Sequence, residues 1–261
     1  MVTVSGMAQR LQAPDAALLD LFEQRMRDIW RRDRFVLDDP TGTCRRIRVL
    51  LECEGFGSAA TLLAKSGARE DWNRVFAEER SQFIADWLLP YLEGQVLDVL
   101  GGDFTVLRAL VAKGLSATQT VGCERRNAYA VDWSALPFPV RDFDLSLGLP
   151  IGFVDTYLIC TVLHHEPDLD AFFAILDRGS ACRWVVVENC VDDANSEAFH
   201  LYVDEFFNKC LNSFDVPCVP QHRTAESWRD LLGAFGRVIH TETRSDVPGM
   251  PFPYTLFVID R

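Results

Sequence analysis

The sequence predicts an α/β protein with a doubly wound, mostly parallel sheet of seven strands and a helical region in front of it. From Val96 onward, short aliphatic and β-branched runs alternate with helical stretches, which is typical of βαβ units. Before residue 92, apolar residues recur at helical spacing. A chain of 261 residues suits one domain of this class with an appendage.

Residues 1–92 are expected to form a helical lid or substrate-binding region. An apolar stripe after Pro14 and Asp15 predicts the first helix (Leu18, Leu19, Phe22, Met26, Ile29 and Trp30). Two shorter helices are expected around 47–52 and 59–63, and a longer helix follows with its own stripe (Phe76, Phe83, Ile84, Trp87, Leu88 and Tyr91).

Residues 93–261 are expected to form the sheet domain. Strands are predicted near 96–100, 119–123, 128–132, 154–160, 183–188, 237–243 and 254–260, and helices at about 105–113, 168–177 and 225–235. A turn-rich connection without a helix predicts antiparallel pairing of the last two strands at the sheet edge. An amphipathic helix between 195 and 215 lies within an insertion at about 193–222.

Composition narrows the classes of function. The net charge of -12 argues against a nucleic-acid substrate, because neutralising phosphates requires clustered Lys and Arg. Eight scattered cysteines without a Cys-x-x-Cys pair favour a reduced, cytoplasmic protein. We expect no membrane attachment, since the sequence shows neither a signal peptide nor an apolar run of about 18 residues.

Residues 95–105 (QVLDVLGGDFT) read as a buried strand that ends in a glycine-containing turn and opens a helix. Such a turn lies at the carboxyl edge of a doubly wound sheet, where ligands bind. Two further segments follow in order, AVDWSALPFP at 130–139 and LICTVLHHEPD at 158–168. The three segments resemble, over roughly residues 75–260, bacterial class I S-adenosylmethionine (SAM) dependent methyltransferases of type 11, related to ubiquinone and menaquinone biosynthesis enzymes.

This resemblance implies a Rossmann-like fold, SAM as cofactor and methyl transfer to a small metabolite. It places Asp98 and the loop residues Leu100, Gly101 and Gly102 at the methionine part of SAM. It places Glu124 at the end of the second strand, on the ribose hydroxyls. It implies that Asp132 binds the exocyclic amine of the adenine and that Trp133 stacks on the adenine ring. It also implies that Cys160 and Thr161 form the floor beneath the sulfonium.

The sequence departs from the family pattern at Leu100 and Phe104, where glycine is usual. A bulky residue resists a positive φ by about 1 kcal/mol or more, so we expect the loop to take a modified path. The spacing departs as well, because only residues 125–128 separate Glu124 from the next predicted strand. That leaves no room for the usual helix.

Candidate catalytic residues are His164, His165, Tyr202 and Asp204, with Glu188 as a further candidate base. One histidine is expected to pack or to cap the helix that starts near residue 168, and the other to face the acceptor. We predict no metal site, because adjacent histidines at a strand end rarely point at one ion and no third ligand has a recognisable spacing. Aromatic residues suit a lid over a small acceptor (Trp30, Phe76, Phe206 and Phe207).

Two alternatives to methyl transfer stay open. The first is an intramolecular cyclase of the azetidine-2-carboxylate synthase type, in which the amine of SAM displaces methylthioadenosine. Tyr202 and Asp204 would then stand near the sulfonium. The second is a non-catalytic SAM-binding or scaffold protein. The acceptor, the atom methylated and the oligomeric state are left open by the sequence.

Overall fold

A computed structural model describes residues 15–33, 35–36, 39–125, 129–143, 148–149, 152–212 and 218–261. Within them, an eight-stranded sheet has the order β3-β2-β1-β4-β5-β8-β7, and the short β6 pairs with β5. The strand bounds are β1 Val96–Val99, β2 Thr120–Glu124, β3 Val140–Asp142, β4 Thr156–Cys160, β5 Arg183–Val191, β6 Arg223–Thr224, β7 Arg237–Arg244 and β8 Tyr254–Asp260. β8 runs antiparallel to both β5 and β7, whereas the other pairs are parallel. The predicted α/β class, the mostly parallel sheet and the antiparallel edge are confirmed.

The third strand lies later than the sequence predicts. Residues 129–132 form no strand, and the third strand is β3 at Val140–Asp142, while residues 126–128 lie outside the described part of the chain. Ala130 has a φ of 53°, which a strand does not allow. The side chain of Asp132 accepts hydrogen bonds from the backbone N–H and hydroxyl of Ser134, so it caps the turn at Trp133–Ala135.

Helices cover both faces of the sheet. The α-helices are α1 Ala16–Arg32, α2 Pro40–Cys53, α3 Phe56–Lys65, α4 Ala68–Arg74, α5 Ser81–Leu88, α6 Thr105–Ala112, α7 Leu169–Asp177, α8 Glu197–Phe206 and α9 Ala225–Gly233. One core joins α1–α6 and α8 to one sheet face, and a second core joins α7 and α9 to the other. Successive side chains of each buried strand point to opposite faces of the sheet, so each strand contributes to both cores.

Two π-helical segments extend these helices: Val75–Arg80 between α4 and α5, and Phe207–Asn212 after α8. Each replaces part of a helix that the sequence predicts as continuous.

The eight cysteines are all described and all unpaired. Among the described residues, no helix is long and apolar enough to cross a bilayer.

Candidate functional site

A cavity opens at the carboxyl ends of β1 and β4, the edge where a doubly wound sheet binds ligands. Its lining comes from the loop after β1, the loop after β4, the ends of β5 and β8, and both π-helical segments. Among the predicted site residues, the cavity brings together Asp98, Leu100, Gly101, Gly102, Cys160, Thr161, His164, His165 and Asp204.

The loop after β1 adopts left-handed backbone at two residues that are not glycine. Leu100 has a φ of 56° and Phe104 a φ of 59°. The expectation of a modified path is therefore wrong, because these residues take the strained conformation themselves. For Phe104, complete burial is worth about 1.5–3 kcal/mol, which exceeds a left-handed penalty of about 1–2 kcal/mol.

Two glycines make the space for Phe104. A Cβ built on Gly101 or on Gly122 would lie 2.6 Å from an atom of the Phe104 ring. The ring also meets Phe138 edge-on at a centroid distance of 6.0 Å. Phe104 thus fills the position of a loop glycine by using space that glycines leave on β2 and in the loop.

Asp98 lies in β1, just before the loop, and lines the cavity with only 2% of its surface exposed. Burial, reinforced by the charges of Glu124 and Asp103, raises the pKa of the Asp98 carboxyl to about 8. A buried carboxyl of this kind is stabilised in its charged form only when a cation joins it. Asp98 is therefore suited to binding a positively charged ligand group.

Glu124 ends β2, as expected, and its carboxylate is already engaged. Oε2 accepts from the backbone N–H of Gly102 at 2.9 Å, and Oε1 accepts from the N–H of Arg125 at 2.8 Å. Burial raises the pKa of Glu124, and these two N–H groups oppose the rise. The residue holds the glycine loop in place behind the cavity.

Arg80 is a cavity residue that the sequence reading missed. It is 4% exposed, donates to Thr161 Oγ1 and to the hydroxyl of Tyr254, each at 3.3 Å, and lies 4.4 Å from the Phe76 ring centroid. The sequence signal for this burial is spacing. Arg80 follows Phe76 by four residues, so it lies on the same helix face as the apolar stripe that continues to Phe83. A guanidinium so placed offers N–H donors to an anionic group.

Both π-helical segments contribute to the cavity. Val75–Arg80 supplies Phe76 and Arg80, and Phe207–Asn212 supplies Phe207 and Asn208 among its residues. A π-turn widens the helix and shifts side chains relative to an α-helix, and such turns are frequent at functional sites.

His164 is fixed from behind by Glu188. The Nδ1 atom lies 2.6 Å from Glu188 Oε2, while Oε1 accepts the N–H groups of Val162 and Leu163 at 2.8 and 2.6 Å. Burial holds the pKa of His164 well below its ordinary value. With its acceptor capacity committed, Glu188 positions His164 and does not line the cavity itself.

Both histidines line the cavity, which corrects the expectation that one of them packs or caps a helix. Their ring centroids lie 4.1 Å apart, and Nδ1 of His165 lies 3.6 Å from Oδ2 of Asp204. The cap of α7 is instead Asp168, whose carboxylate accepts from the N–H of Ala171. The cavity therefore has a polar wall made of His164, His165 and Asp204.

Three other predicted residues lie outside the described lining of the cavity. Asp132 is exposed and caps its own turn, and Trp133 packs against the core. Tyr202 packs between Phe22 and Phe56, at centroid distances of 5.6 and 5.5 Å, inside the helical layer. The cavity thus lends no support to a direct role for them.

Comparison with known proteins places the fold. No protein-family model and no curated protein matches the sequence. Solved structures do match: the pyocyanin biosynthetic protein PhzM aligns with a TM-score of 0.51 and 18% identity, over 97% of this chain and 74% of that one. A chain of the complex between the Haloferax volcanii Trm112 methyltransferase activator and a methyltransferase aligns with a TM-score of 0.50 and 15% identity, over 79% of this chain and 98% of that one.

The mitomycin 7-O-methyltransferase MmcR aligns with a TM-score of 0.49 and 18% identity over 85% of this chain. The alignment covers 66% of MmcR, just under two thirds of its length. The fold is shared with solved methyltransferases. At these identities the comparison reaches no further than the fold.

Proposed function

We propose that this protein binds SAM and transfers its methyl group to a small organic molecule. The observation that carries the proposal is the presence of a buried carboxyl, Asp98, and a buried guanidinium, Arg80, in the lining of one cavity. Together they complement the ammonium and carboxylate of an amino acid, which is the methionine end of SAM. The resemblance of the three sequence segments to SAM-dependent methyltransferases supports the same ligand.

The rest of SAM would follow the loop after β1. Gly102 has a φ of 61°, and a Cβ built on it would lie 3.2 Å from the Tyr129 ring, so a side chain would be strained and crowded at this position. Without one, the backbone leaves room for a ligand to approach closely. We place the adenosine along Gly102 and Tyr129, with Glu124 behind the ribose. Cys160 and Thr161 line the cavity beside Arg80 and would face the sulfonium.

The polar wall of His164, His165 and Asp204 would receive the acceptor, and Phe76 and Phe207 give that side of the cavity apolar surface. In the transfer, a bond forms between the acceptor and the methyl carbon as the carbon–sulfur bond breaks. The sulfur keeps the electron pair, and S-adenosylhomocysteine is released. The proton of the acceptor leaves to solvent past the polar wall. The protein aligns the three atoms and excludes water, with the helices before residue 92 as the covering layer.

Product analysis tests this proposal. The protein is incubated with SAM alone and with SAM plus a panel of phenols and hydroxy acids, and the nucleoside products are identified by mass spectrometry. S-adenosylhomocysteine that forms only with an acceptor, and is lost in Asp98→Asn, is the expected result. Methylthioadenosine from SAM alone would instead establish the intramolecular cyclase. If the protein does not bind SAM at millimolar concentration, a non-catalytic scaffold is the interpretation that stays.

A further inference from the structure

Four of the five histidines of the chain lie next to one another. Ring centroids are 4.1 Å apart for His165 and His164, 5.0 Å for His164 and His222, and 5.3 Å for His222 and His200. His164 and His165, at one end of this series, line the cavity. Imidazole is a common ligand for transition metals, so the cavity end of the series is the place to look for an ion.

Asp204 completes a set of three ligand-type groups there. One nitrogen from each of His164 and His165 and one carboxylate oxygen of Asp204 all lie within 4.8 Å of one another. Asp204 is 8% exposed, and its Oδ1 accepts from the Asn208 amide at 3.0 Å. Its Oδ2 is buried and accepts no hydrogen bond from the residues that the structure describes. This oxygen also lies 3.6 Å from Nδ1 of His165, and a cation between the two groups would stabilise its charge.

His164 is prepared as a ligand by its surroundings. Nδ1 lies 2.6 Å from Glu188 Oε2, and when it donates to that carboxylate the lone pair is on Nε2, whose contact with the Asn189 amide is a long one of 3.4 Å. A carboxylate behind a histidine is the usual arrangement behind metal-binding imidazoles, where it fixes the ring and raises its basicity.

We propose that His164, His165 and Asp204 bind one divalent transition-metal ion, in the two-histidine, one-carboxylate manner that suits Zn²⁺ or Fe²⁺. Metal–nitrogen and metal–oxygen bonds of about 2.0–2.2 Å at tetrahedral angles put two ligands of one ion about 3.3–3.6 Å apart, so the three groups, now within 4.8 Å, would close by up to about 1.5 Å. The sequence-based expectation of no metal rested on adjacent histidines rarely pointing at one ion and on the lack of a third ligand at a recognisable spacing. The rings of the two histidines lie 4.1 Å apart, and Asp204, far along the chain, supplies the third group.

The open coordination positions of such an ion face the cavity. There the ion would bind an oxygen of the acceptor and lower the pKa of its hydroxyl, so that the proton leaves to water before the oxygen bonds to the methyl carbon. This role rests on the proposed methyl transfer. Metal binding itself does not, and it is measured without SAM.

Titration calorimetry with Zn²⁺ tests the site. The full-length chain is freed of metal with a chelator and titrated as wild type, Asp204→Asn, His165→Gln and, as matched control, His240→Gln. His240 lies on β7 and contacts Tyr91, away from the cavity. We expect one Zn²⁺ per chain in the wild type and in His240→Gln, and binding at least tenfold weaker in the other two variants.

Equal Zn²⁺ affinity in the wild type and Asp204→Asn, or no binding at 100-fold molar excess, would overturn the proposal and leave an ordinary polar contact between His165 and Asp204. Circular dichroism shows whether each variant is folded. As a second readout, Co²⁺ bound to the wild type is expected to give visible absorption bands that Zn²⁺ abolishes, and their absence would also count against the site. SAM binding by the metal-free protein reports separately on the proposed function.

Discussion

The ring of Phe104 occupies the space that Gly122 leaves open, with Cε1 2.6 Å from where a Cβ on Gly122 would lie. Phe104 belongs to the loop after β1, and Gly122 to the neighbouring strand β2. This contact explains how a bulky residue keeps a φ of 59° at a position where glycine is usual in the family that the sequence resembles. The loop keeps its left-handed path because the ring is buried.

Restoring glycine at Phe104 is therefore expected to destabilise the protein. Phe104→Gly relieves about 1–2 kcal/mol of backbone strain but removes a fully buried ring, a loss worth about 3–5 kcal/mol. Leu100→Gly relieves similar strain at a half-buried side chain, so we expect a change within about 1 kcal/mol. Urea unfolding of both variants checks the contrast, and a more stable Phe104→Gly protein would contradict it.

The contact with Gly122 predicts a coupling between the two positions. Gly122→Ala alone places a methyl group against the Phe104 ring, and overpacking of this kind costs about 1–3 kcal/mol. In a Phe104→Ala background the same methyl group enters free space and costs much less. A double-mutant cycle measures the difference, and simple additivity of the two losses would show that the residues do not share this space.

Asp98 predicts a pH-dependent stability difference. Its pKa is about 8 in the folded state, and the ordinary value is 3.8. Between these values the folded protein holds a proton that the unfolded chain has lost, so this group makes the protein less stable as pH rises through that window. The advantage of Asp98→Asn over wild type should thus be near zero at pH 4 and largest above pH 8. Equal differences in unfolding free energy at pH 5 and pH 8.5 would refute this environment for Asp98.

Tyr202→Phe is expected to leave catalysis unchanged. The Tyr202 hydroxyl is buried without a hydrogen-bond partner among the described residues, so its removal should raise stability by about 1 kcal/mol or less. Tyr254→Phe is the informative comparison, because the Tyr254 hydroxyl accepts from Arg80 in the cavity. Melting temperatures and rates of product formation for the two variants check this. A large loss of turnover in Tyr202→Phe would show that the Tyr202 hydroxyl takes part in the reaction.

The sequence was sufficient for the fold because the buried parallel strands are continuous apolar runs with helical stretches between them. It also predicted that the glycine loop lies at the carboxyl edge of the sheet, and the family resemblance implied that Asp98, Cys160 and Thr161 join it there; all of them line the cavity. The third strand was misplaced because Val131 and its neighbours resemble a strand, while Ala130 and Asp132 impose a turn. Turn chemistry prevailed over β-propensity there.

Other parts of the site depend on contacts between residues far apart in the chain. Arg80 reaches Tyr254, and His165 reaches Asp204, only after the helical layer packs on the sheet. Apolar periodicity shows that a helix is buried but does not identify the polar residue that it brings to a cavity. The accommodation of Phe104 is equally non-local, because it depends on a glycine in another strand.

The proposed SAM site depends most on a ligand that has the charges of an amino acid and joins Asp98 and Arg80. Calorimetric titration with S-adenosylhomocysteine, which keeps the amino-acid end of SAM, measures this directly in wild type, Arg80→Met and the exposed control Arg108→Met. We predict saturable one-to-one binding by the wild type and the control, and affinity lower by about tenfold or more in Arg80→Met, as expected for loss of a charge-assisted hydrogen bond. Wild-type binding that is undetectable at millimolar ligand, or equally tight binding by Arg80→Met, would contradict the account.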